Sequence, residues 1–570
     1  MTKILSQLLP SFKHTIVSAD MNKIDDFSEI NKIPITNLVF DSREVKKDSL
    51  FFALPGIHAN GNKYIAEAIL KGANAIVFQD ELTKEEQIDI AKAIIKRSLD
   101  NAFGDENQKF SPVLINVPDS RFAMAPISAC FYDNPSDRLI VIGVTGTEGK
   151  SSTVSFIWQL LRECGQKAGF ISTVEYSFGS DAIANPQHQT TPEAPIIQHH
   201  LNEMLLNGCK FAVVETSSHG LSTKLNRCGN IAFDCGIFMN VTLEHLEFHK
   251  TFENYKNDKE NLFRALDKFS HTKNIAGEKI SISPFGIVNL EDFSAKDFCD
   301  CTKSQVFGFT SFGLAGKGAV CPEKIELPEI PSKIEKYYIA SQIFSDDSSL
   351  KFKMESNTKD FSSEIFSHLP GSFNAYNIMA AIIAVSNLTN IPMEKVASHI
   401  KNLTSIKGRM TEIKEGQPFE VIVDYAHTPS SFEIIFPPIK KRTKGKIFAL
   451  FGSGGERDLT KRPLQGQIAA KYCDVIVLAD EDPRGENPKE LLEMIAVGSE
   501  KEGKILGKDL FIIPDRPSAI RKVFSMAKEN DVVLLLGKAH ENSIIYKDRV
   551  MPYDEISEAK KALKEILQNK

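Results

Sequence analysis

No CxxC pair occurs among the nine cysteines of this 570-residue chain, and the only close ones, Cys299 and Cys301, are weak grounds for a metal site. An odd number of scattered thiols in a large chain fits a reducing compartment, so a cytoplasmic protein is expected. No run of ~18 apolar residues appears, which argues against a membrane-spanning helix. The opening MTKILSQLLPSFK lacks the sustained apolar region of a secretory leader. Long blocks of lysine or arginine are missing too. Charged residues make up 25% and the formal net charge is −6, so the usual basic footprint for nucleic acid is absent. Small anionic ligands stay open, because a local basic pocket needs no basic protein. Internal repeats and low-complexity tracts are also absent.

What the chain does contain is short β-branched runs alternating with helical patterns. ANAIVF, RLIVIGVTG, CKFAVVET, FEVIVDYA, GKIFALFGSGG, CDVIVLAD and NDVVLLLG read as buried strands, which implies an α/β protein with parallel sheets covered on both faces. At about 150 residues per domain the length suits three to four units. Seams are expected at the turn-rich YDNPSDR and near IKNLTSIKGRM, giving domains 1–136, 137–404 and 405–570.

Between the strand RLIVIGVTG and the helical SSTVSFIWQLLREC stand Gly146, Thr147, Gly149, Lys150, Ser151 and Ser152. Glycines let backbone N–H groups approach phosphate oxygens, a helix N-terminus favours anions, lysine adds charge, and a serine hydroxyl can face Mg²⁺. The spacing departs from the standard Walker A loop, since Val144 stands where its first glycine would be. A plain glycine turn is the bland alternative. Glu148 beside phosphates is unfavourable and is expected to point outward. Glu215 ends the strand CKFAVVE, where open α/β sheets place ligand contacts. In NVTLEHLEFHK, His245 and His249 have a zinc-like spacing without the HExxH order, so magnesium held by Ser151, Glu215 and His245 is the better reading, although a histidine is an unusual magnesium ligand. Lys259 reads as an ordinary helix lysine.

Together these segments resemble the Mur ligase family, most of the chain being similar to the branch that adds the third amino acid of the peptidoglycan precursor. The resemblance implies a three-domain architecture: an N-terminal domain for the UDP-precursor, a central ATP-binding domain of P-loop type, and a Rossmann-like domain for the amino acid. DSREVKKDSLFFALPGIHANGNKYIAEAILKGANAIV is similar to the uridine-binding domain and would put Asp41, Ser42 and Arg43 near UDP; Asn60-Gly61-Asn62 replaces the family's D-G-H. GTEGKSS stands for G-T-N-G-K-T-T, implying that Lys150 and Ser151 meet the β- and γ-phosphates and Mg²⁺. Glu215 and His245 become magnesium ligands, and Lys259 the lysine carbamylated to hold a second one. QTTPE implies that Thr190 and Thr191 face the muramoyl-peptide, and ETSSHGL implies Ser217 and, at a longer spacing, Arg227 near the sugar nucleotide. GSFNAYNIMAA implicates Asn374 and Asn377 at adenine.

GRM, VDYAHTPSS and FGSGGERDLTKRP imply Arg409, Asp424, Tyr425 and His427 at the nucleotide, and Arg457 on the α-carboxylate of the incoming amino acid, a bidentate geometry suited to arginine. The implied reaction is ATP-driven amide formation on UDP-MurNAc-L-Ala-D-Glu through an acyl phosphate, by a monomer with no nucleic-acid partner and no membrane insertion. Members that use meso-diaminopimelate carry D-N-P-R. Here Glu481, Asp482, Pro483 and Arg484 stand in that place, and Asp482 would repel a distal carboxylate. A basic diamino acid, L-lysine or L-ornithine, is therefore expected over meso-diaminopimelate, with Arg484 speaking for the latter. LGKAHE adds Gly537 and Glu541 to the same pocket. A folylpolyglutamate synthetase-like ligase and a noncatalytic Mur-like binding partner are the alternatives; the N-terminal domain and EDPRGENP argue against the first, Lys150, Glu215, His245 and Lys259 against the second.

Overall fold

The computed structural model describes residues 1–570 except 26–27, 57–59, 103–110, 187–188, 243, 312–329, 347 and 569–570. Three large sheets follow one another along the chain. The first orders its strands Thr15–Val17, Val113–Asn116, Ala73–Phe78, Ser49–Ala53 and Asn37–Val39, all neighbours parallel except the first pair. Ala73–Phe78 is buried along its whole length, as an unbroken apolar run in a sheet covered on both faces requires.

The central sheet has eleven strands. Its middle runs Ala168–Ile171, Phe211–Glu215, Ile140–Thr145, Cys235–Phe238, Phe285–Asn289, Gln305–Thr310 and Tyr337–Ser345, every pair parallel. At the margins the pairing turns antiparallel, through Glu175–Ser177 and Ile183–Ala184 on one side and Leu350–Ser356 and Ser362–Ser367 on the other. The all-parallel expectation therefore fails there. Leu350–Ser356 shows why: its buried residues alternate with more exposed ones, the pattern of a strand with one wet face.

The third sheet orders Thr411–Glu412, Glu420–Asp424, Val532–Leu536, Ile447–Phe451, Val475–Leu478 and Leu510–Ile512, with only the first pair antiparallel. The chain passes from the central to the third sheet once, through the segment between Asn402 and Thr411. Parallel strands bring their C-terminal ends to one edge, so Thr145, Glu215 and Asp424 each end a strand where a loop can meet a ligand. Among the described residues no helix is long and apolar enough to cross a membrane. The eight described cysteines are free thiols.

Candidate active site

The glycine loop joins Ile140–Thr145 to the helix Lys150–Glu163, whose cap, Gly149, has φ +83°. A Cβ there would lie 2.7 Å from Asn377 Oδ1, so the position needs glycine for both backbone and space. Asn240 fixes the loop: its Oδ1 accepts from the backbone N–H groups of Thr147 (3.1 Å) and Glu148 (2.8 Å). Lys150 folds back to donate to the Thr147 carbonyl (2.8 Å). Ser151 donates to both oxygens of buried Glu215 (3.0 and 2.9 Å), which also accepts from the Thr173 backbone (2.8 Å). Thr153, one turn along, donates to Asn377 Oδ1 (3.2 Å), and Asn377 in turn donates to Asn374 (3.1 Å), so the start of the helix Asn374–Thr389 is tied to the loop.

Across a cavity of about 810 Å³ stands the third domain. Arg409 reaches Ser151 Oγ (3.4 Å) with one nitrogen, lies over the Tyr425 ring at 5.0 Å, and leaves its buried Nε without a partner. Asp424 accepts from the backbones of Met410 (2.7 Å) and Ala426 (2.8 Å), and burial raises its pKa. Tyr425 donates to Glu541 (3.1 Å). His427 faces Glu244 at 3.6 Å. Burial works against its charge, but the bond and charge of Glu244 prevail and raise its pKa. Arg457 meets Glu247 at 3.4 Å. Burial opposes ionisation of Glu247, yet His245 and Arg457 bring it down to about 2.

Ser151, Ser152, Glu215, Thr190, Asn374 and Asn377 line this cavity, with Arg409, Asp424, Tyr425, His427 and Arg457 opposite. Glu481, Asp482, Arg484 and Glu541 close its far end, while Gly537 lies just behind, where a Cβ would meet Glu481 Oε2 at 2.7 Å. His245 is on the wall too, with its ring nitrogens toward Glu244 (3.6 Å) and Glu247 (3.5 Å). Lys259 is off the wall and buried beneath the loop, donating to the Gly146 carbonyl (2.6 Å). Burial, then Lys150, hold its pKa well below the usual range. Among the described residues no group of three or more His, Cys, Asp or Glu is placed to hold a metal alone.

Thr191, Ser217 and Arg227 form the seam behind Thr190. Thr191 donates to the Glu215 carbonyl (2.9 Å) and accepts from the Ser217 backbone (2.8 Å); Arg227 donates to the Thr191 carbonyl (3.0 Å) and to Glu193 (2.6 Å). Asn226 donates to Phe122 of the first domain (3.0 Å). Asp41, Ser42 and Arg43 stand apart from the cavity: Arg43 pairs with Asp41 and Ser42 donates to Glu67 (3.3 Å).

Two expectations are corrected. Glu148 does not point outward: Thr428 of the third domain donates to its carboxylate (2.9 Å), and burial, with Glu244 nearby, raises its pKa. Asp482 is not a free anion: fully buried Lys538 donates to it (2.8 Å), as does the Ile545 backbone (3.0 Å). The carboxylate that lacks a partner is Glu481, whose buried Oε2 has none. Sequence reasoning missed Glu244, Thr428 and Lys538, although NVTLEHLEFHK and LGKAHE contain two of them; burial and long-range pairing leave no mark in spacing.

Three family models match: the Mur ligase family catalytic domain over residues 34–132, the middle domain over 144–385, and the glutamate ligase domain over 408–539. The chain is 48% identical to the UDP-N-acetylmuramyl-tripeptide synthetase of Treponema denticola, covering 94% of each. It is 32% identical to the UDP-N-acetylmuramoyl-L-alanyl-D-glutamate--2,6-diaminopimelate ligase of Caldanaerobacter subterraneus, over 94% of this chain and 95% of that one. A solved UDP-N-acetylmuramoyl-L-alanyl-D-glutamate--2,6-diaminopimelate ligase superposes with a TM-score of 0.56 over 100% of both chains at 23% identity, a likeness of fold. The chain belongs to the Mur ligase family of ATP-dependent ligases.

Proposed function

We propose that the chain joins L-lysine or L-ornithine, in preference to meso-diaminopimelate, to the D-glutamate γ-carboxylate of UDP-MurNAc-L-Ala-D-Glu during cytoplasmic synthesis of the peptidoglycan precursor. One observation carries this reading: a single cavity has the glycine loop and Lys150 on one wall and Arg457, Glu481 and Arg484 on the other. A triphosphate terminus and an amino acid can meet there.

In this reading Lys150 and the N-terminus of Lys150–Glu163 neutralise the β- and γ-phosphates as the phosphoryl group passes to the carboxylate and ADP departs. Arg457 holds the α-carboxylate of the amino acid, whose amine attacks the acyl phosphate carbon. The tetrahedral intermediate expels inorganic phosphate and the nitrogen loses a proton. From the third domain Arg409, with its unpartnered buried Nε, Asp424, Tyr425 and His427 face the nucleotide, and Asn374 and Asn377 take adenine. Thr190 faces the muramoyl-peptide with Thr191, itself buried, holding the Glu215 and Ser217 backbones behind it, Ser217 and Arg227 face the sugar nucleotide, and Asp41, Ser42 and Arg43 the uridine end.

Ser151 and Glu215 supply hard oxygen donors, few enough for a cation that keeps its waters and phosphate oxygens, which fits magnesium. Magnesium, when bound, supplies Lewis-acid neutralisation of the phosphates. His245 stands on the same wall. Lys259 fits the carbamylated lysine because its depressed pKa favours the neutral amine, the form that takes up CO₂.

The preference for a side-chain ammonium rests on Glu481, buried at the wall with an oxygen unpartnered, whereas Asp482 and Glu541 are both already paired with Lys538. A second reading, meso-diaminopimelate, is favoured by Arg484, a cation on the cavity wall. Phosphate release with ATP, Mg²⁺ and UDP-MurNAc-L-Ala-D-Glu, run with each amino acid and checked by product mass, decides. Release with lysine or ornithine, with the matching mass gain, is expected; faster turnover of meso-diaminopimelate overturns the preference, and no release with any of the three overturns the ligase reading.

A further inference from the structure

His249 does not line the cavity, yet its fully buried ring makes two good hydrogen bonds, Nδ1 to Asp258 Oδ2 (2.9 Å) and Nε2 to Ser218 Oγ (3.0 Å). With Asp258 as the acceptor Nδ1 carries the proton, and in that neutral tautomer Nε2 accepts from the Ser218 hydroxyl. Ser218 begins the short helix Ser218–Leu221, capped by Ser217. His249 ends Leu246–His249, whose cap is His245. Asp258 lies in Phe252–Ala265 immediately before Lys259. One imidazole thus joins three segments, each carrying a group assigned above to the sugar nucleotide or to the metal. Two further bonds reinforce the joint: Asn254 donates to the His249 carbonyl (3.0 Å) and Asn261 to the Leu221 carbonyl (3.0 Å).

We infer that His249, oriented by Asp258, is a positioning residue that locks the Ser217 turn to the segments bearing His245 and Lys259, and thereby couples acceptor binding to the metal site. The Ser–His–Asp order resembles a hydrolytic triad, but Ser218 is 1% exposed and off the cavity wall, so no substrate carbonyl can reach its hydroxyl. The inference rests on the proposed ligase reading.

Steady-state phosphate release tests it, with His249→Phe, which keeps a ring but breaks both bonds, Asp258→Leu, Asp258→Asn and Ser218→Ala. An unsatisfied buried partner corresponds to roughly a tenfold effect. Expected for His249→Phe and Asp258→Leu is a rise of about tenfold in both the KM for UDP-MurNAc-L-Ala-D-Glu and the Mg²⁺ half-saturation, with the KM of the amino acid unchanged. Ser218→Ala should move the same way by less. Asp258→Asn retains an acceptor and should stay within about twofold of the parent. An unchanged acceptor KM in all variants, or all KM values and kcat moving together with the melting temperature, overturns the proposal. Ser218→Ala removes one oxygen, so the test survives if a larger substitution misfolds. Calorimetric titration of the acceptor onto each variant separates this failure from that of the ligase reading, because binding is measurable whether or not the unmodified protein ligates.

Discussion

Glu481 and Asp482 are neighbours in sequence, yet only one meets a cation. Lys538, 56 residues on, donates to Asp482, while a Glu481 oxygen stays unpaired beside Gly537. A ligand ammonium would complete Glu481, so Glu481→Gln should raise the KM for lysine or ornithine by about tenfold while leaving that of ATP unchanged, checked by phosphate release. The segment EDPRGENP reads in sequence as the expected amino-acid site, and its Glu481, Asp482 and Arg484 do line the cavity; which of the carboxylates is available was not legible, because that depends on a distant buried lysine. Asp480, one residue earlier, shows the cost of such burial. Its pKa is raised to about 6 by burial, with only Tyr546 donating to it, and its other oxygen unpartnered. A pKa higher in the fold than in the unfolded chain favours the fold below about pH 4, and this contribution is lost as pH rises toward 6. Asp480→Asn should therefore raise the melting temperature by about 2–4 °C at pH 7.5, and by less at pH 5, in paired thermal scans.

The glycine loop works because two helices start against it. Lys150–Glu163 and Asn374–Thr389 meet where Asn377 fills the space beside Gly149. Gly149→Ala would press a methyl onto Asn377 Oδ1 and strain a φ of +83°, so ADP affinity should fall at least tenfold by calorimetry while the UDP-acceptor binds as before. The strand and the helix after it were plain in RLIVIGVTGTEGKSS, since an apolar run, glycines and an amphipathic stretch announce each element locally. The partner helix was legible only through family resemblance; NAYNIMAA by itself is a capped helix like many others. The antiparallel margins escaped because LKFKMES signals one wet face, which says nothing about which sheet the strand joins.

Across the whole molecule the cleft is held by pairs that each span it: Glu148 with Thr428, Glu244 with His427, and Glu247 with Arg457. All three central members are acidic. Salt weakens the two charged pairs, Glu244 with His427 and Glu247 with Arg457, over a Debye length of about 8 Å at physiological ionic strength. The nucleotide-free protein should open as salt rises from about 0.05 to 0.5 M, read as a growing radius of gyration by small-angle X-ray scattering, and Thr428→Val should open it at lower salt. The crossing between the central and third domains, around Leu403, Ile406, Arg409 and Met410, is itself part of the cavity wall, and Gly408 and Met410 turn there with φ of +75° and +48°. In the proposed reading, hinge and nucleotide wall are therefore one piece of chain. Any free energy that a nucleotide spends biasing the hinge is returned in full when the hinge angle alters nucleotide affinity. A ligand that did no more than stiffen this segment would act as an effector of ATP binding without touching a phosphate.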